Sequence, residues 1–410
     1  EAQKQDRADT FGKSGGVLDY VACWYKRAAD YTRGTHIRCA FVSTNSICQG
    51  QQVEPLWKPL FDDGVRIGFT HRTFVWNSEA ADEAHVHVVI VGFSREDTEE
   101  KLLFDSKGDA REVGHINAYL APAADAFVIR RTKPICNVPE MVAGGKPTDG
   151  GFLLLTQDER DDLVRREPGA EVLIRPFSMG AEYINGIPRY CIWMDGVDSA
   201  VLTRLPLVRE RVERVREFRL ASKKAATRKK ADTPWLFDEV RPPKGASYIA
   251  VPKVSSGRRR YVPMGFVTDG MIPGDMLFSI SDGGLYEFGI VMSQFHNAWM
   301  RQVAGRLKSD YRYTNTIVYN NFVWPEPTDA QRAEIERRAQ AVLDARAAHP
   351  DATLADMYNP DNGFLFPDLM RAHRELDAAV EAAYGIYFNG DEEKIVAHLF
   401  KLYAQKVGER

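Results

Sequence analysis

The sequence predicts a chain of mixed architecture, α/β followed by α+β and closed by a helical C-terminal region. Three observations carry that expectation. Before residue 93 the apolar residues alternate between helical and strand spacing. From 131 to 151 a stretch rich in Pro and Gly interrupts the pattern, and beyond Trp324-Pro325 only helical spacing remains. At 410 residues the chain exceeds one ordinary core, and these breaks divide it at 1–130, 131–326 and 327–410.

Residues 18–29 carry apolar side chains at helical spacing, 37–43 read as a strand, and 51–60 as a second helix. Strands follow at 65–70 and 86–93, the latter almost wholly apolar and therefore central in its sheet. This order belongs to the back half of a Rossmann-like, doubly wound sheet ending in a hairpin. A half sheet cannot close its own core, so the chain reads as truncated, with strands expected before residue 1. After the Pro/Gly linker, strands are expected at 152–155, 248–252, 260–266 and 317–322. One helix starts at Pro206 with Val208, Val212, Val215 and Phe218 on a stripe, and another crosses 289–305. Thr328 followed by Gln331 makes a capping box ahead of Ile335, Val342 and Leu343. Two further helices are expected at about 366–384 and 391–407.

Composition is that of a soluble globular protein, with neither a run of about 18 apolar residues to span a bilayer nor a secretory signal. Five widely spaced cysteines without a CxxC argue for reduced thiols and a cytoplasmic location, and against a zinc knuckle. His85 and His87 form an HxH, but no Cys or carboxylate set with ligand spacing accompanies them. A structural role is expected for both, and no metal.

The net charge of −3 hides an uneven distribution. Between Arg204 and Arg260 stand 17 Lys/Arg against 6 Asp/Glu, a surplus of 11 inside an otherwise acidic chain. That is the footprint of a polyanion site, most plainly at Lys223, Lys224 and Arg228, where no acid intervenes. Pro252–Arg260 adds Lys253, Ser255 and the consecutive Arg258, Arg259 and Arg260; strand alternation would send Arg259 to the opposite face. In residues 308–325, Tyr311, Tyr313, Tyr319 and Phe322 alternate with Lys308, Ser309, Arg312 and the amides of Asn315, Asn320 and Asn321. Cations for phosphates, amides for base edges and rings for stacking read as a nucleic-acid surface, with a Tyr-rich sheet strand as the alternative. His296, Asn297 and Arg301, on the helix expected across 289–305, are candidate base readers, with plain surface exposure as the competing reading.

Several segments together resemble a known family. They include Ala40-Phe-Val-Ser-Thr-Asn-Ser-Ile47 with Gln49-Gly50, Phe69-Thr-His-Arg-Thr-Phe-Val-Trp76, Lys146-Pro-Thr-Asp-Gly-Gly151 and Glu182-Tyr-Ile-Asn-Gly-Ile-Pro-Arg189. Pro252-Lys-Val-Ser-Ser256, Gly305-Arg-Leu-Lys-Ser-Asp310, Tyr319-Asn-Asn-Phe322 and Leu376-Asp-Ala-Ala-Val-Glu-Ala-Ala-Tyr-Gly385 extend the match over nearly the whole chain. The pattern resembles MmeI-like restriction-modification enzymes, which join an endonuclease, an adenine-N6 methyltransferase, a target-recognition domain and a helical tail.

The resemblance implies S-adenosylmethionine as methyl donor and double-stranded DNA as substrate. By family position, Phe74 and then Trp76 would stack on a flipped adenine, with core packing as the competing reading. Ser43 and Asn45 would stand at the periphery of the active site, a turn-capping role being the alternative. The donor-binding Gly-rich loop, the Pro-Pro tetrapeptide that grips the target amino group and a nuclease cluster are not found in the sequence. The chain is therefore expected to need the N-terminal methyltransferase and nuclease region of the same protein, and to be inactive alone. A stand-alone specificity subunit and a methylase-like phage-defence protein are the competing readings.

Overall fold

The computed structural model describes residues 1–76, 86–245 and 247–408. Helices α1 (Ala2–Phe11) and α2 (Ala22–Tyr31) precede strand β1 (Cys39–Thr44) and helix α3 (Val53–Asp62). Strands β2 (Arg66–Trp76), β3 (Val86–Ser94), β4 (Lys101–Phe104) and β5 (Ala110–Val113) follow. They form a sheet of order β1-β3-β2-β4-β5, in which β1 and β2 both run antiparallel to β3. Val89, Val91 and Phe93 of β3 are buried, as its apolar run demands. Tyr25 of α2 stacks on Phe93 at 5.5 Å and meets Trp57 of α3 edge-on at 5.4 Å, which fastens both helices to the sheet. Helix α2 begins at residue 22 rather than 18, because the Gln52 side chain accepts the Asp19 N–H and fixes the preceding segment as a turn.

The middle of the chain supplies β6 (Met141–Ala143), β7 (Leu154–Thr156), α4 (Gln157–Arg166), β8 (Ile174–Ser178), α5 (Gly180–Asn185), β9 (Arg189–Ile192), α6 (Pro206–Leu220) and α7 (Ala225–Lys229). Next come β10 (Tyr248–Pro252), β11 (Val254–Ser255), β12 (Gly265–Val267), β13 (Ile272–Pro273) and β14 (Leu277–Ile280). Two further sheets result, β12-β10-β14-β6 and β13-β8-β9-β7. The second anchors a lobe with its own core, where Val208, Val212 and Val215 of α6 pack with Leu153, Leu155 and Ile192. Phe218, expected on that stripe, lies half exposed against Gly150. Arg219 fills the interior instead: fully buried, it donates to the carbonyls of Pro147, Thr148, Lys230, Thr233 and Leu236.

The linker expected at 131–151 is structured. Met141, Val142 and Ala143 pair with β14, and the N–H groups of Arg131 and Ile135 donate to the carbonyls of Thr316 and Asn320. Its Pro and Gly residues turn the chain without preventing the apolar tripeptide from joining a ladder.

Helices α8 (Leu285–Met292) and α9 (Gln294–Val303) replace the single helix expected across 289–305. The break is at Ser293, whose hydroxyl accepts from the His296 N–H and starts α9 afresh. A hairpin of β15 (Gly305–Leu307) and β16 (Asp310–Arg312) follows, and then α10 (Asp329–Ala347), α11 (Leu354–Met357), α12 (Pro367–Ala383) and α13 (Glu392–Gly408). The Thr328/Gln331 capping box opens α10 as its residues dictate. Among the described residues no helix is long and apolar enough to cross a membrane.

One expected strand is shortened and another is replaced by a helical turn. Residues 258–264 form a turn and coil, and only Gly265–Val267 is extended. The strand expected at 317–322 is a helical turn, because its amides bond to other backbone. Asn315 donates to the Met141 carbonyl, Asn320 to Arg131, and Asn321 to Ile129, Thr316 and Ile317. The Asn321 carbonyl oxygen accepts from Arg131 Nε at 2.8 Å and from the Tyr403 hydroxyl at 3.2 Å.

The expected nucleic-acid surface at 308–325 is thereby corrected from Tyr313 onward, while Lys308, Ser309 and Arg312 remain exposed. Tyr313, Ile317, Tyr319, Phe322 and Trp324 belong to a buried cluster that also holds Trp57 beneath the first sheet, Trp299 of α9 and Tyr403 of α13. Asn321→Leu, of similar volume, should cost roughly 3 kcal/mol by orphaning several buried bonds. A urea midpoint that does not fall would contradict this role.

Candidate nucleic-acid interface

Three strand ends and one hairpin converge on a cleft. Thr44 and Asn45 close β1, Thr73 and Phe74 lie near the end of β2, and Val86 and His87 begin β3, all at one edge of the first sheet. Gly305, Arg306 and Lys308 of the β15–β16 hairpin face them, with Arg301 and Gln302 of α9 beside. Between the two walls lie adjoining cavities of about 520 and 630 Å³ that share Gln49, His87 and Arg306 in their linings. The walls touch where Gly50 (φ +62°) meets Gly305: a Cβ on Gly50 would stand 3.1 Å from the Gly305 Cα.

Each side chain at the cleft has a local cause. Between His71 and Phe74 strand β2 carries one residue more than β3, a bulge that re-aims Phe74. Its ring lines the larger cavity and lies 4.5 Å from the His71 ring. Trp76, 50 % exposed, stands 6.3 Å from Phe74 and is not part of the lining. Arg306 lies 4.2 Å over the Tyr311 ring and donates to its hydroxyl at 3.0 Å, so two contacts to one ring fix its guanidinium in the wall. Oε1 of Gln49 is buried with no hydrogen-bond partner among the described residues.

A three-stranded sheet of order β11-β16-β15 carries the Lys253–Arg260 loop to the same hairpin. Gly257 permits the approach, since a Cβ there would meet the Ser309 carbonyl oxygen at 2.4 Å. This juxtaposition gives the cleft a basic rim.

Comparison with known proteins places this geometry. The chain matches the family models for the MmeI DNA-methyltransferase domain at 1–105, the MmeI target recognition domain at 122–326 and the MmeI C-terminal domain at 327–409. The chain belongs to the MmeI family. A solved structure of the type IIL restriction-modification enzyme MmeI in complex with DNA superposes with a TM-score of 0.92 at 40% identity, over 99% of this chain and 55% of that one. DNA methyltransferase A of Bacillus subtilis (strain 168) is 39% identical over an alignment of 411 positions that covers 99% of this chain and 46% of the relative. The chain thus spans about half the length of these relatives.

Within this MmeI-family fold the residues singled out from sequence separate into three groups. Lys308, Ser309 and Arg312 are exposed on the hairpin, and Lys308 occupies its tip with φ 57°. Arg258, Arg259 and Arg260 share a turn beside it rather than alternating along a strand. Arg258 pairs with Asp361, and Arg260 donates to Gln294 at 3.0 Å. Lys253 lies half buried with its ammonium 4.5 Å over the Phe278 ring, and burial lowers its pKa. Lys223, Lys224 and Arg228 are exposed in the second lobe, at the α6–α7 junction and outside the cleft lining.

The third group consists of corrections. Ser43 is buried, and its hydroxyl is bonded to that of Tyr25, whereas Asn45 does line the smaller cavity. Ser255, Tyr311 and Tyr313 are buried, so their side chains support the hairpin from behind. His296 and Asn297 are buried on the inner face of α9 and cannot reach a base. The His296 Nε2 shares a 2.7 Å bond with the Tyr313 hydroxyl, and the Asn297 Oδ1 accepts the Val262 N–H. Arg301 alone of that trio lines the cleft. Sequence reasoning passed over Gln49, Arg72 and Arg306 as site residues, although Gln49-Gly50, the Phe69–Trp76 segment and the Gly305–Asp310 segment carried the family pattern; Gln302, grouped by sequence with Arg301 on the same helix, does line the cleft. Among the described residues no group of three or more His, Cys, Asp or Glu comes together to hold a metal; His85 lies outside them.

Burial pushes His296 down to about 3. The unfolded chain takes up a proton near pH 6.5 that the folded core refuses until about pH 3, so His296 costs stability as pH falls through that window. Asp377, pushed up to about 6 by burial, acts with the opposite sign and is common to parent and variant. His296→Gln should therefore lose about 1–2 kcal/mol less stability than the parent between pH 7 and 4.5. Parallel urea-midpoint profiles would contradict a neutral buried His296.

Proposed function

We propose that the chain carries the target-recognition half, and part of the catalytic half, of a site-specific adenine-N6 DNA methyltransferase within a restriction-modification enzyme. The observation that carries this reading is the cleft. A ring on a bulged strand end faces an arginine-bearing hairpin across cavities large enough for one nucleotide, beside a basic rim. An adenine inside a duplex cannot reach a methyl donor, so it must leave the stack and have its lost stacking replaced. In this reading Phe74, which lines the larger cavity, stacks on the extruded base, and the Gln49 side-chain amide, in the lining of both cavities, offers a polar group to the base's edge. Arg306, Lys308 and Arg312 then fix the flanking backbone.

Methyl transfer uses S-adenosylmethionine, which supplies an electrophilic methyl carbon that the adenine nitrogen attacks directly. The described part of the cleft lining does not fit that group: among the described residues it contains no glycine-rich turn opening a helix. Its Asp105 already accepts the N–H groups of Lys107 and Asp109. In this reading β1, at the edge of its sheet with Val42 half exposed, continues a Rossmann-like sheet whose other strands hold the donor.

Arg306→Ala and Arg312→Ala should each weaken duplex binding several-fold and reduce the slope of log affinity against log salt by about one. Unchanged titrations for both would remove the hairpin from the interface. Phe74→Ala should instead leave paired-duplex affinity intact and lower affinity for a duplex bearing an extrahelical adenine by roughly tenfold, one stacking interaction. Equal losses on both duplexes would mean that Phe74 only packs.

A further inference from the structure

The larger cavity is lined by three arginines, Arg72, Arg301 and Arg306, and two of them are gripped from behind by a single helix. Arg301 makes a bidentate pair with Glu392, Nε to Oε1 at 2.7 Å and Nη2 to Oε2 at 2.8 Å. Its Nη1 donates to the Arg260 carbonyl at 2.6 Å. Arg72, two residues before Phe74, donates from Nη2 to Glu393 at 2.9 Å and from Nε to the Leu120 carbonyl at 3.3 Å. Arg111 of β5 also pairs with Glu393. Glu392 and Glu393 open α13, where Asp391 Oδ1 accepts the N–H groups of Glu393 and Lys394 at 3.2 Å.

We infer that this acidic pair is a positioning device, which aims Arg72 and Arg301 at the phosphates on either side of an extruded nucleotide. The inference rests on the cleft being a pocket for a flipped base. A guanidinium has more N–H groups than these bonds use, so an arginine pinned by a carboxylate and a carbonyl still has donors for a phosphate. Pinning removes the rotamer entropy that a loose arginine would lose on binding. Arg301 is held most firmly, its side chain only 14% exposed despite facing the cavity. Because Arg301 also bonds the Arg260 carbonyl, the same pair steadies the arginine turn beside the hairpin. The C-terminal helices therefore act on the cleft directly.

A mere neutralising role makes the opposite prediction. Carboxylates that only screened the arginines would weaken attraction to DNA, and their removal would strengthen binding to every duplex alike. The test compares the 410-residue chain with its Glu392→Gln/Glu393→Gln variant on two probes of identical flanks, one fully paired and one with a single bulged adenine. The parent should prefer the bulged probe. The double variant should lose roughly tenfold of that preference, the worth of one charge-assisted hydrogen bond, while paired-duplex affinity holds or rises. Arg301→Lys, which keeps the charge but not the bidentate geometry, should show the same selective loss at an unchanged melting temperature. An unchanged preference in both variants, or equal strengthening on both probes, overturns the positioning role. A parent chain that binds both probes equally overturns the base-pocket reading itself.

Discussion

The cleft depends on the way the segment from Tyr313 to Trp324 packs. Asn321 stands at its centre, donating to three backbone carbonyls and accepting from Arg131 and Tyr403. These bonds tie the segment to the strap that leaves the first sheet and to the last helix. Its rings lie in the same buried cluster as Trp57 under the first sheet and Trp299 on α9. The sheet edge bearing Phe74 and the hairpin bearing Arg306 are thus fastened to one core, and close-packed cores resist changes in spacing. A rigid gap between the walls is what a pocket for one extruded base requires.

Electrostatics adds direction to that frame. The three arginines that line the larger cavity are held by named partners: Arg306 by the Tyr311 ring, Arg301 by Glu392 and Arg72 by Glu393. Such cations present fixed donors to a phosphate, in contrast to Lys223, Lys224 and Arg228, which are exposed on the separate lobe. That lobe has its own sheet and its own core, and its basic junction lies outside the cleft lining. Charge surplus along the sequence therefore marked two surfaces and did not distinguish between them.

Elements whose identity is set by local spacing were legible from sequence. The capping box at Thr328, the valine stripe of α6, the apolar run of β3 and the last two helices all stand where their residues place them. The segment at 308–325 was misread because a wet stacking surface and a core rich in Tyr and Asn use the same residue types. What separates them is whether the amides find backbone partners, and Arg131, Met141 and Ile129 lie almost two hundred residues away in sequence. His296 and Asn297 were misread for a related reason: a polar residue on a helix looks exposed until the helix proves to be buried on that side. Phe74 was placed by family position, but its aim into the cavity comes from a bulge that alternation cannot reveal.

The most direct measurement is photocrosslinking from a duplex that carries a single extrahelical 8-azidoadenine, followed by mapping of the modified peptides. The account predicts adducts within residues 72–76 and 86–87 on one wall and within 301–306 on the other. Adducts confined to the α6–α7 lobe, with none on either wall, would contradict it.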